Sequence, residues 1–180
     1  MLNITIPKKE LYDEKNEEFV YLPEKTLCLE HSLVSVSKWE SKWKKPFLSK
    51  EQKTTEETID YIKCMTITQN VDDMFYNCLT ADNIKAINSY IDDSMTATTF
   101  YDVRKNTGRQ ENITSELIYF WMISLNIPME CQKWHLNRLL TLIKICNIKN
   151  DSGKKMSRGE INSRNAALNA ARRKKLNTRG

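Results

Sequence analysis

The hydrophobic period of this chain changes once, between residues 30 and 31, and that change limits the fold more than any other feature. Residues 2–30 repeat at two: LNITI alternates apolar and polar side chains, ELY and FVY flank the turn-forming DEKNEE, and TLCLE alternates again. From His31 onward the apolar residues recur at helical spacing. With four glycines and four prolines in 180 residues there is little material for a loop-rich β architecture. The expected fold class is mainly α with a small N-terminal antiparallel β-sheet (α+β). Three or four short strands occupy 2–30, with LNITI paired to TLCLE. A helical bundle follows over 31–150, completing a body of 1–150, and a basic hinge and extended C-terminal helix fill 151–180.

Punctuation residues divide the helical part. HSLVSVSKWESKW sets Leu33, Val36, Trp39 or Glu40, and Trp43 at helical spacing, and KKPF stops it, since proline disfavours helical geometry in the residue before it. Thr54 and Glu57 form a capping box at the head of the next helix. VDDMFYNCLTADNIKAINSYIDD reads as two short helices, the second opening at Thr80 or Asp82. Residues 95–112 have no apolar period and read as a surface loop. ITSELIYFWMISLN is an apolar helix with Tyr119, Phe120 and Trp121 expected in the core, and Pro128 suits the first turn of the helix after it. Near the end, polar DSGKK precedes a second capping box, Ser157 with Glu160, and a hydrophobic staple, Met156 with Ile161.

The stretch MECQKWHLNRLLTLIKICNIKN decides whether to look for chemistry. It holds Cys131, His135 and Cys146. Leu136, Leu139, Leu140, Ile143 and Cys146 fall on one helical stripe, so Cys146 reads as a small core hydrophobe. Cys131 and His135 are four apart and share a face, but a structural zinc site takes four ligands, and the chain otherwise offers His31 and scattered single cysteines. There is no Cys-x-x-Cys, nucleophile elbow, phosphate loop or H-E-x-x-H helix. The reading is a protein without catalytic residues, metal or cofactor. Five irregularly spaced cysteines and no secretory signal indicate reduced thiols in a cytosol, and no apolar run reaches the length of a membrane span.

Charge is segregated. From Asp151 onward nine Lys/Arg face two acids, a net of +7, which leaves −2 for residues 1–150. Arg172, Arg173, Lys174 and Lys175 head that basic tail as candidates for binding an acidic protein partner or nucleic acid. Charge favours the latter only weakly, because residues 151–180 hold no base-stacking aromatics. Trp39 and Trp43, four apart with lysines between, mark either core packing or a peptide-binding groove.

Four segments together, LEHSLVSVSKWESKWKKPFLS, TTEETIDYIKCMT, ITSELIYFWMISLNIPMECQKWHLNRLLTLIKICNIKN and KKMSRGEINSRNAALNAARRKKLNTRG, resemble the tail assembly chaperones of long-tailed (siphovirus-type) bacteriophages. The resemblance implies a mostly helical, non-enzymatic protein of the infected bacterium's cytoplasm. It would bind the tape-measure protein, keep its apolar helices from aggregating and help recruit tail-tube subunits. A second copy of the chain is a further partner to consider, and no catalytic residues come with the family. The alternatives are a structural virion component, such as a connector or tail-completion protein, and a nucleic-acid-binding protein acting through its basic tail.

Overall fold

The computed structural model describes residues 1–13, 17–100, 112–152 and 158–176; the side chains of residues 13, 18, 151, 152, 158, 160, 161, 174 and 175 lie outside that description. The fold is α+β. Its elements are β1 (Leu2–Ile6), β2 (Lys9–Asp13), β3 (Glu18–Leu22), β4 (Lys25–Leu29), α1 (Leu33–Trp43), α2 (Thr55–Met65), α3 (Asp73–Asn77), α4 (Ala81–Asp92), α5 (Ser115–Ser124), a 3-10 helix (Met129–Lys133), α6 (Leu136–Ser152) and α7 (Arg158–Leu176). Two compact units divide the chain, Met1–Lys144 and Ile145–Gly180. The division falls inside α6, ahead of the 150/151 boundary drawn from composition. The hinge residues 153–157, with Met156 and Ser157, and the bulk of the 95–112 loop (101–111) are outside the described residues.

β1 pairs antiparallel with β4, as the alternation of LNITI and TLCLE requires, with Ile4 opposite Leu27. The remaining strands do not join them in one sheet. β2 pairs only with β3, giving two two-stranded sheets in place of one of three or four strands. The cause is legible. Ile6 opposes Lys25 and Lys9 opposes Leu22, so a single ribbon keeps register across a gap of two residues on each side. Those residues are Pro7–Lys8 and Pro23–Glu24, and proline has no N–H to give the ladder. Ile4, Ile6, Leu27 and Leu29 of the anchored half are buried, and β1 packs against α4.

Caps set the helix starts. Ser32 and Ser35 form a capping box on α1, with Ser32 N–H donating to Ser35 Oγ at 2.9 Å. On α2, Glu57 N–H donates to Thr54 Oγ1 at 3.2 Å and Thr54 N–H to Glu57 Oε2 at 2.8 Å. Thr80, not Asp82, caps α4. The buried layer runs from Leu33, Val36 and Trp39 through Ile62 and Met65 to Ile118, Met122, Leu136 and Leu139. Each such side chain contributes about 1.5–3 kcal/mol on leaving water.

Three expectations change. Pro128 does not open an α-helix; it precedes the 3-10 helix, and α6 starts only at Leu136. Trp134 between them is extended, His135 makes an isolated bridge with Ser32, and Leu136 N–H donates to the His31 carbonyl at 2.8 Å. A tertiary contact therefore breaks what periodicity reads as one helix. Secondly, Phe120 is 61% exposed, and Tyr119 and Trp121 are half-buried. α5 instead buries Ser115, Ile118 and Met122, which share the face packed on α1. Thirdly, Cys146 is half-buried, whereas Leu136, Leu139 and Ile143 of the same stripe are core.

Candidate functional site

The tryptophan pair comes first because the sequence singled it out. Trp39 is 1% exposed and Trp43 half-buried, with rings stacked at 6.2 Å. Both indoles are engaged by α2: Trp39 Nε1 donates to the Glu57 carbonyl and Trp43 Nε1 to Asp60 Oδ2, each at 2.9 Å. Lys42 pairs with the other Asp60 oxygen, and Lys45 reaches Glu57 Oε1 at 2.6 Å. Burial pulls the Asp60 carboxyl up, but hydrogen bonds from Lys42 and Trp43 outweigh it and leave it below its ordinary value. This face is the α1–α2 seam, and Trp39 is not accessible to a partner.

The chain's two histidines meet although 104 positions separate them in sequence, with rings 5.0 Å apart. Both are buried, His31 at 2% exposure and His135 at 6%. His31 Nδ1 hydrogen-bonds the Tyr61 hydroxyl. His135 Nε2 lies 2.9 Å from the Tyr90 carbonyl, which can only accept, so Nε2 donates, and Nδ1 has no partner among the described residues. Tyr90 in turn donates its hydroxyl to Glu30 Oε1 at 2.7 Å. Burial, helped by His135, holds the His31 pKa down at about 3. The two buried rings pack against each other and join the β4–α1 corner to α2, α4 and α6.

A cleft of about 510 Å³ is lined by residues including Glu30, Ser35, Lys38 and Cys64. Burial pushes the Cys64 thiol up, away from a nucleophilic thiolate. Among the described residues no three His, Cys, Asp or Glu side chains converge as metal ligands, and Cys131 is a buried free thiol.

The described surface presents exposed apolar area. α5 carries one charged residue, Glu116, in ten, and turns Phe120 and Ile123 outward at 61% and 66% exposure. Spaced three apart, they form one ridge. No sequence pattern marks it, because a helix apolar all round has no polar face to announce which side is wet. In the second unit, every described side chain of α7 is exposed, Arg172 and Arg173 included; the side chains of Lys174 and Lys175 lie outside the described set. No described helix is long and apolar enough to cross a membrane.

The chain matches no family model, no curated protein and no solved structure.

Proposed function

We propose that this chain is a tail assembly chaperone of a long-tailed bacteriophage. It acts without catalysis in the host cytoplasm, binding the tape-measure protein and helping to recruit tail-tube subunits. The observation that supports this reading best is the outward ridge of Phe120 and Ile123 on α5. A protein that shields a long helical client needs apolar area in water, and repeated weak contacts suit such a client better than one deep pocket. Co-expression with the tape-measure protein tests it. The wild-type chain is expected to co-purify, the Phe120→Asp/Ile123→Asp variant to be lost from the complex, and finished virions to lack the chain. Stoichiometric recovery from purified particles would replace the proposal with a structural virion component.

A second reading rests on the exposed Arg172 and Arg173 of α7: binding of nucleic acid through the basic tail. It requires DNA affinity that falls steeply with salt and disappears with residues 154–179. Absence of DNA binding at low salt ends it.

A further inference from the structure

The proline break leaves the tip of the ribbon with unusual chemistry. In β2–β3 the pairs alternate faces, so Tyr12, its partner Phe19 and the diagonal Tyr21 share one side. All three are exposed, at 52%, 71% and 63%, and the Tyr12 and Phe19 rings lie 5.1 Å apart. The opposite side carries Leu11, Val20 and Leu22, of which Leu22 is buried. Two features then identify an occupant for the wet side. By sequence, residues 9–24 hold six acids against two lysines, a net of −4, which repels phosphate backbones and attracts cations. Among the described residues neither β2 nor β3 pairs with a third strand. A two-stranded hairpin is marginal alone and gains from a third.

We propose that β2–β3 is a docking arm for an extended cationic segment of another protein. The segment adds as a third strand beside β3 and lays Arg or Lys side chains against Phe19 and Tyr21. Main-chain hydrogen bonds at the edge of β3 that no described strand occupies supply affinity, and the aromatic face, with Glu10 on the same side and the net negative charge of residues 9–24, supplies the preference for cations. The chain's own basic segment is a poorer fit, since 158–176 is helical rather than extended. This inference does not depend on the chaperone reading, because the arm and the α5 ridge are separate surfaces probed separately.

The test uses full-length protein and fluorescent peptides of about ten residues, a typical long-strand length, followed by anisotropy. An alternating Arg/Val peptide is expected to bind, and an alternating Glu/Val peptide to bind at least about tenfold more weakly. Backbone N-methylation of the Arg/Val peptide on its edge-facing amides is expected to weaken it by about tenfold or more, by removing the ladder bonds. Phe19→Ser/Tyr21→Ser is expected to weaken binding by about tenfold while leaving the protein's circular dichroism unchanged, as suits exposed positions. Equal binding of the acidic peptide, indifference to N-methylation, or indifference to Phe19→Ser/Tyr21→Ser would each overturn the proposal. Tighter binding of a peptide spanning residues 158–176 would overturn it in favour of a second copy of this chain.

Discussion

At the scale of single residues, His31 carries the clearest consequence. Its folded pKa of about 3 lies below the ordinary histidine value, so the unfolded chain takes up the proton first. The sign follows: stability from the neutral ring is complete above pH about 6.5 and declines as pH falls toward the folded value. Urea unfolding between pH 7 and 5 is expected to show a loss approaching about 1.4 kcal/mol per pH unit at the acid end from this one group. His31→Phe cannot bind a proton, and should flatten that slope whatever it does to stability at pH 7. An unchanged slope would mean that some other group is responsible. Near pH 4, Glu57 and Asp60 add to the effect, since both carboxyls are held below their ordinary range: Glu57 by the Lys45 hydrogen bond, and Asp60 by Lys42 and Trp43 against the pull of burial.

Between elements, Glu40 is the joint. Its buried carboxylate accepts the Phe47 amide through one oxygen and the Ser115 amide through the other, both at 2.7 Å. It thereby satisfies an otherwise orphan N–H in the first turn of α5 from a side chain on α1. Glu40→Leu strips both buried amides of their acceptor and is expected to cost about 2–4 kcal/mol in chemical denaturation. Glu40→Gln keeps one carbonyl oxygen and should recover about half of that loss. Equal stability of the Leu variant and the wild type would show that water serves the two amides. α5 itself explains why it is so readily misread. Tyr119, Phe120 and Trp121 look like core because everything around them is apolar, yet the face of α5 that meets α1 is occupied by Ile118 and Met122. Phe120 is left in solvent, and Tyr119 is left to donate its hydroxyl to Gln132 at 2.9 Å.

For the whole molecule, the division at Lys144–Ile145 separates a unit with a continuous apolar core from one whose α7 buries none of its described side chains. A chain ending at Ser152 should therefore melt within about 2 °C of the full-length protein, because surface removal seldom changes stability by more than a few tenths of a kcal/mol. A fall of several degrees would mean that α7 stabilises the body.

Hydrophobic period, capping pairs and proline placement are local properties, and they were enough to specify the α+β class, the β1–β4 pairing, the Thr54–Glu57 box and the end of α1. They also separated a basic tail from a mildly acidic body. Which apolar residues remain wet was not a local matter. Phe120 outward, Trp39 inward, two histidines in contact and a helix broken at His135 all depend on which faces meet, and a helix or ribbon apolar on both sides encodes no preference. Those outcomes were settled only when the elements packed, because burial is a property of neighbours distant in sequence.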